Sequence, residues 1–345
     1  MKLPMGERPE VRIVGSGAPE EKERYGRQIL ESFGEKHGEY IPEDLRELIK
    51  KTELEKTENE LVAIAEANKI TNEMLRAAGL PEFDVPPANI HFVPSLVFAH
   101  ALGNRENGNG ATYIDDQAIV LNADENRKNA VWGNEIILHE MIHLKGYSAF
   151  EVDAEGNRQA FRSGLRVVAS HKKKKEGGNF DSFRWLNEAI VTEIAAQNLK
   201  KLIDNNGQLA KEREWLDSEE AAEFKKQVAE MAKIGPEEIL WATEKEIISH
   251  PYRSEREVLD YMVGAISEDL GLRPEETRDK FFGAHFTGHL LEIAHLIEKT
   301  FGKGSFEILG MMDAKTDQPK IMGYLKRHRR LAGNSKDKEK NSTIG

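Results

Sequence analysis

Apolar residues recur every three or four positions over most of the chain, a spacing that predicts amphipathic helices. The first long helix starts at Ile41-Pro42, continues to Ala78 with a break near Thr57, and ends at Gly79-Leu80-Pro81. Residues 1 to about 20 are rich in Gly, Pro and charge, which predicts an irregular lead-in. Residues 1–81 are therefore predicted to form an N-terminal helical scaffold.

The pattern changes between residues 82 and 122. Prolines and β-branched residues predict extended chain from Pro86 to Phe98, and two short strands between Ala111 and Leu121 around an Asp-Asp turn. After the next helix, strand-like stretches from about 148 to 181 predict a strand pair or a three-stranded flap. These features predict a core domain at 82–203 with a β insertion at about 148–181.

Helical spacing returns beyond Leu202. It predicts helices at 212–233, 236–249, 254–270 and 283–300 and a short last element ending at Met312, so residues 204–314 form a helical lobe. From about Lys315 the chain is rich in charge and poor in apolar residues, which predicts a flexible tail at 315–345. The predicted fold class is α+β: mostly helical, with a small sheet, a β-hairpin insertion and a C-terminal helical lobe.

The segment from Ile136 to Leu144 contains the strongest chemical signal. His139 and His143 are four residues apart, so a helix places both imidazoles on one face, where they can bind one ion. Glu140 lies beside that ion and can accept a proton from water. The other residues of the segment are apolar, as expected of a helix buried beneath a cleft. This HExxH pattern is the zinc-peptidase motif.

A catalytic zinc ion needs a third protein ligand and a fourth position for water. The chain has no cysteine, and the best candidate is Glu188, which lies in an apolar helical run from Phe183 to Glu193. A carboxylate within such a run is costly unless a cation or hydrogen bonds meet it. The sequence therefore predicts one Zn²⁺ ion with His139, His143 and Glu188 as ligands.

With Trp185-Leu186-Asn187-Glu188-Ala189 downstream of HExxH, the chain resembles the gluzincin zinc metallopeptidases, which include thermolysin-like and aminopeptidase-N-like enzymes. The resemblance covers only about positions 110 to 200. It implies a zincin-like fold, with His139 and His143 as ligands, Glu140 as general base and Glu188 as third ligand.

Two features depart from the gluzincin pattern. His143 and Glu188 are 188 − 143 = 45 residues apart, which is longer than the familiar spacing and implies an insertion. In related motifs, an acidic residue four positions after the ligand glutamate often braces a histidine. This chain has Thr192 four positions after Glu188, and the acidic residue, Glu193, comes one position later. A step of five residues is a rotation of about 500° around the helix axis, so Glu193 points away from the face that carries Glu188. Either Thr192 takes the bracing role, or Glu193 is the true ligand.

The resemblance also implies an edge strand and an oxyanion donor. The strand beginning at Gly110 takes the place of the edge strand that pairs with substrate in gluzincins, and an ordinary sheet strand is the alternative. Tyr252 is the favoured donor to the oxyanion, and the other candidates are Tyr147, Tyr261, His285 and His289. The alternative for His285, His289 and His295 is that they are polar residues on helix surfaces.

Composition limits the partners of the chain. Its 345 residues are 32% charged and carry a net charge of −11, which disfavours nucleic acid as a partner. No apolar run approaches the roughly 18 residues of a membrane span, so no membrane partner is expected. The amino terminus lacks the apolar core of a secretory signal, and a cytoplasmic location is the default expectation. The sequence leaves the oligomeric state open.

These motifs favour a zinc-dependent peptidase that acts on a peptide or protein substrate, as either an aminopeptidase or an endopeptidase. One alternative is a catalytically inactive zinc-binding interaction protein with a zincin fold. Glu140 argues against it, because a purely structural zinc site needs no general base. Another alternative is a helical binding protein in which HExxH is coincidental.

Overall fold

The structure is a computed structural model that describes residues 11–31, 43–101, 108–170, 179–312 and 314–342. Within these ranges the helices are α1 (Pro19–Glu31), α2 (Glu43–Thr52), α3 (Glu58–Ala77), α4 (Ser95–Ala101), α5 (Ala123–Asn126), α6 (Ala130–Lys145), α7 (Arg184–Asn205), α8 (Ala210–Leu216), α9 (Glu219–Ala232), α10 (Arg253–Leu270), α11 (Pro274–Thr287), α12 (Leu290–Phe301), α13 (Ser305–Gly310) and α14 (Ala314–Ser342). The strands are β1 (Arg12–Val14), β2 (Ile90–Val93), β3 (Gly110–Tyr113), β4 (Ala118–Asn122), β5 (Ser148–Val152), β6 (Arg158–Ser163), β7 (Arg166–Ser170), β8 (Asn179–Ser182), β9 (Ile239–Ala242) and β10 (Ile247–Ser249).

The chain is an α+β protein, mostly helical with small sheets, as the sequence predicts. Its contacts divide it into two units, residues 1–160 with 194–251 and residues 161–193 with 252–345. The boundaries fall inside β6 and inside α7, so each of these elements contributes to both units. This division is discontinuous along the chain, whereas the sequence suggests three consecutive regions followed by a tail.

The first unit contains a three-stranded sheet in the order β2-β4-β3. Strand β2 is parallel to β4, and β3 pairs antiparallel with β4 around the predicted Asp-Asp turn. Strand β4 is buried throughout, whereas β3 is a half-buried edge strand. The extended chain predicted from 86 to 98 is right only for β2, because Val97 and Phe98 lie in α4 and pack into the core.

Helices α3 and α6 pack against each other in the same unit. Thr57 caps α3 through a reciprocal capping box with Glu60, so the predicted break near Thr57 is confirmed. The lead-in predicted to be irregular contains β1, which pairs in parallel with β5.

The remaining part of the first unit joins α6 to the second half of α7. Val131 of α6 forms one buried cluster with Leu199, Ile203, Leu209 and Leu240. The helix predicted at 236–249 is wrong, because this stretch contains the antiparallel hairpin β9–β10. Its two short runs are rich in isoleucine and include a tryptophan, a composition that favours strands.

In the second unit, β7 pairs antiparallel with both β6 and β8. In chain order, strands β5 to β8 follow α6 and precede α7, and residues 171–178 lie outside the described ranges. Helix α10 packs against α11, α12 and α14. The single helix predicted at 283–300 is two, α11 and α12, because Gly288 adopts a left-handed conformation with φ of 73°.

The stretch for which the sequence predicts a flexible tail, from residue 315, is helical over its described residues. Residues 314–342 form α14, and its Ile321 and Leu325 are fully buried. These two residues are one helical turn apart and therefore lie on the same face of α14. Among the residues described, every helix is too short or too polar to cross a lipid bilayer.

Candidate metal centre

Helix α6 holds the HExxH residues in a fixed arrangement. Asn129 begins the helix, and its side-chain oxygen accepts the N–H of Trp132 at 3.0 Å. His139 and Glu140 are buried, with 5% and 7% of their surface exposed. The Nε2 atoms of His139 and His143 lie 3.1 Å apart. The two imidazoles therefore direct their nitrogens toward the same point.

The separation of these two nitrogens fits a zinc ion. Zinc–nitrogen bonds of about 2.0–2.1 Å at tetrahedral angles place two ligand nitrogens about 3.3 Å apart. The observed 3.1 Å between the Nε2 atoms of His139 and His143 is close to that value. The pair is thus suited to bind the ion that the sequence predicts.

Glu188 comes from the first half of α7. Leu199, about three turns further along the same helix, packs against Val131 of α6. The second half of α7 therefore packs on the helix that carries the histidines. One ligand atom from each of His139, His143 and Glu188 lies within 4.8 Å of the other two. The structure brings together the three residues that the sequence predicts as metal ligands.

The carboxylate of Glu140 contacts the edge strand β3. The hydroxyl of Thr112 donates to Oε2 of Glu140 at 2.7 Å. A Cβ atom on Gly110 would lie 2.6 Å from Cγ and 2.8 Å from Oε1 of the same side chain. A glycine at 110 is therefore needed for Glu140 to keep this position, and Thr112 fixes one of its two oxygens.

The start of α7 is held by a buried amide. The side-chain oxygen of Asn187 accepts the N–H of Leu165 at 3.0 Å and lies 3.1 Å from Nδ1 of His285. Because the Leu165 N–H can only donate, this atom is an acceptor and His285 carries a proton on Nδ1. A Cβ on Gly164 would lie 2.3 Å from the Asn187 oxygen. The residue preceding Glu188 is thus locked to the β6–β7 turn and to α11.

The interpretation of three histidines as polar residues on helix surfaces holds for His295, whereas His289 directly precedes α12. His289 and His295 are exposed, but His285 is completely buried. Tyr252, the favoured oxyanion donor, precedes α10 in a left-handed conformation with φ of 54° and is 37% exposed. Its role stays a prediction, as do those of the other donor candidates.

Glu193 lies in an ion pair rather than with His139, His143 and Glu188, which together form the candidate metal group. Nε and Nη2 of Arg256 each donate to its Oε2 at 3.2 Å, and Nε of Arg278 lies 4.0 Å from Oε1. Thr192 is buried, and its hydroxyl has no hydrogen-bond partner within the described residues, so it braces neither histidine. Both alternatives suggested by the spacing after Glu188 therefore lack support in the structure.

A cation also lies within electrostatic reach of Glu188. Arg166 of β7 forms a two-point ion pair with Asp181, with distances of 2.8 and 2.7 Å. Burial lowers the pKa of Arg166, but the hydrogen bonds and charge of Asp181 and the charge of Glu188 raise it, leaving the pKa above its usual value. Arg166 consequently keeps its positive charge near Glu188.

Sequence reasoning missed the contacts of Thr112, Gly110 and His285. One signal was available for the first two, because residues two apart on a strand share a face. Gly110 and Thr112 are such a pair, on the strand predicted to precede the HExxH helix. No comparable pattern links His285 to Asn187, which is 98 residues away in the sequence.

No protein-family model matches the chain, and comparisons with curated proteins and with solved structures find no match either. A functional assignment therefore rests on the geometry of this site.

Proposed function

We propose that the chain is a zinc-dependent peptidase of the gluzincin type. The observation that carries this proposal is the convergence of His139, His143 and Glu188, whose ligand atoms lie within 4.8 Å of one another. Two imidazoles and one carboxylate are a donor set typical of catalytic zinc, since three protein ligands leave a fourth position for water. Glu140 follows the first of these histidines directly in the chain.

His139, His143 and Glu188 would hold the zinc ion. When bound, zinc supplies a Lewis acid that acidifies water and polarises the carbonyl of a peptide bond. Glu140 accepts the proton from the attacking water and passes it to the leaving amine. Thr112 occupies Oε2 of Glu140 and leaves Oε1 to exchange that proton.

An extended peptide is the substrate that the edge strand favours. Strand β3 pairs with β4 on one side, and it ends the order of its sheet among the described strands. Main-chain hydrogen bonds from such an edge can hold a peptide in extended form. The same strand contacts Glu140 through Thr112 and Gly110, so a peptide bound there would lie next to the general base.

The second candidate function is that of a catalytically inactive zinc-binding protein, and the surroundings of Glu140 disfavour it. A structural zinc site has four protein ligands and needs no positioned carboxylate beside them. Here the carboxylate of Glu140 is buried to 7% exposure and oriented by Thr112.

The test is cleavage of a peptide library by untagged protein, with zinc content measured on the same samples. Glu140→Gln should retain zinc and lose activity by a factor of about 10²–10⁴, which is the range for removing a general base. Glu244→Gln, the same change at an exposed hairpin residue, should behave as the wild type. Wild-type protein with full zinc and no cleavage would favour the inactive alternative, and protein without zinc would favour the coincidental motif.

A further inference from the structure

A second site of interest is a cavity of about 240 Å³ within the first unit. Its inner wall is apolar and buried, and includes Val131 of α6, Leu199 and Ile203 of α7 and Leu240 of β9. Neither Glu140 nor the three proposed metal ligands are among its described lining residues. The cavity is therefore distinct from the metal group, although α6 and α7 contribute to both.

Most charged groups on the rim of this cavity are already engaged. The ammonium of Lys200 is bound to Asp204 and Asp217 at 3.1 and 3.0 Å. Arg213 donates from Nη1 to the main-chain oxygen of Asp204 at 3.0 Å. These contacts satisfy the cations of α7 and α8 within the protein itself.

Lys225 of α9 lines the same cavity and differs from the other cations. It is half-buried, and within the described part of the chain its ammonium forms neither an ion pair nor a hydrogen bond. Burial is the sole cause that lowers the pKa of Lys225 below its usual value. A partly desolvated cation without a counter-charge is unfavourable, and an anion bound beside it would relieve that penalty.

We propose that this cavity binds a small aliphatic monocarboxylate, with its carboxylate on Lys225 and its hydrocarbon body against the buried apolar wall. The volume is below the roughly 300–1,000 Å³ of pockets for drug-sized ligands, so the ligand has only a few carbons.

The charge of the ligand follows from the acids on the same rim. Asp204, Asp217 and Glu237 also line the cavity. They would repel a dianion such as a phosphate more strongly than a single carboxylate. Binding at Lys225 uses no residue of the metal group and is independent of peptidase activity.

The experiment is a leucine-methyl NMR titration of the full chain with 4-methylpentanoate and with its neutral analogue 4-methylpentanamide. We expect saturable shifts at Leu199, Leu216 and Leu240, and an affinity for the carboxylate at least about tenfold higher than for the amide. Lys225→Met should lose that preference, while Lys225→Arg should keep it. Lys226→Met, the same change at the exposed neighbouring residue, should bind as the wild type does.

Equal affinity for the acid and the amide, unchanged binding by Lys225→Met, or no saturable shift at these leucines would overturn the proposal. If Lys225→Met does not fold, the acid-to-amide ratio of the wild type and of Lys225→Arg decides the question. A wild type that prefers the acid but cleaves no peptide would support this site and reject only the peptidase.

Discussion

At the scale of single residues, helix α6 and the edge strand β3 meet at Glu140. A carboxylate that must accept and return a proton works best when its orientation is fixed before substrate arrives. Thr112 provides that restraint with a hydrogen bond of 2.7 Å to Oε2. Gly110 provides the space, because any larger residue would overlap the Glu140 side chain.

Replacing Thr112 with valine keeps the shape of the side chain and removes the hydroxyl. Since hydrogen bonds to charged groups contribute about 1.5–3 kcal/mol, we expect kcat of Thr112→Val to fall by at least about tenfold, with KM little changed. Thr112→Ser should recover most of the loss, and zinc content should be the same in all three proteins. Steady-state kinetics on a cleaved peptide checks this, and wild-type kcat in Thr112→Val would contradict it.

Adding one methyl group at Gly110 tests the space around the base. The new Cβ would lie 2.6 Å from Cγ of Glu140 and 2.9 Å from Cγ2 of Ile136. We expect Gly110→Ala to lower the free energy of unfolding by about 1–3 kcal/mol, the usual effect of overpacking. Gly207→Ala is the matched control, because nothing lies within 4 Å of its added Cβ. Urea unfolding curves that coincide for the two variants would show that the contact is not tight.

At the scale of elements, the periodicity of apolar residues predicted the long amphipathic helices. It failed where the local sequence is compatible with both a helix and a strand. Residues 236–249 have apolar spacing compatible with a helix, but pairing of β9 with β10 satisfies their main-chain groups instead. The apolar pattern predicts one helix that continues to residue 300, whereas α11 ends at Thr287 and Gly288 is its C-cap. Strand β1 was missed because three residues are too few to show alternation.

The turn between β3 and β4 is tied to α1 by the half-buried side chain of Asp115. Tyr25 donates from its hydroxyl to Oδ1 of Asp115 at 2.7 Å. Burial raises the pKa of Asp115, and the hydrogen bond from Tyr25 opposes that rise only in part. The folded state therefore binds a proton on Asp115 more tightly than the unfolded chain does.

A raised pKa of an acid in the folded state makes stability fall as pH rises through that pKa. Asp115→Asn removes the charge and keeps an acceptor for Tyr25. We expect the variant to be more stable than the wild type at pH 7, with a difference that shrinks as pH falls and levels off below the usual pKa of about 3.8. Urea unfolding between pH 3 and 7 checks this, and a difference that grows toward low pH would contradict it.

At the scale of the whole molecule, the part of α14 around Ile321 and Leu325 packs against α10 and α12 in the second unit. The sequence predicted a tail there because charge dominates its composition, whereas two buried residues on one face decide its packing.

Leu325→Ala should lower the free energy of unfolding by about 2–5 kcal/mol, because Leu325 is fully buried. Leu331→Ala, at a residue 55% exposed, should stay within about 0.5 kcal/mol of the wild type. Equal stability of the two variants would restore the tail interpretation.

Some residues of the candidate site could be predicted from the sequence, and others could not. The spacing of His139 and His143 is local and follows from one helical turn, so it could be predicted directly. Glu188 required a resemblance, because the 45 intervening residues include a β insertion whose course the sequence does not determine. Contacts such as Thr112 with Glu140 depend on the packing of a strand against a helix, which neither segment encodes alone.

Binding of one zinc ion by His139, His143 and Glu188 can be measured as the zinc content per chain in untagged protein. We expect one zinc in the wild type, loss of zinc in Glu188→Gln, and full zinc in Glu193→Gln, whose carboxylate is paired with Arg256. A wild type without zinc, or full zinc in Glu188→Gln together with loss in Glu193→Gln, would contradict this expectation.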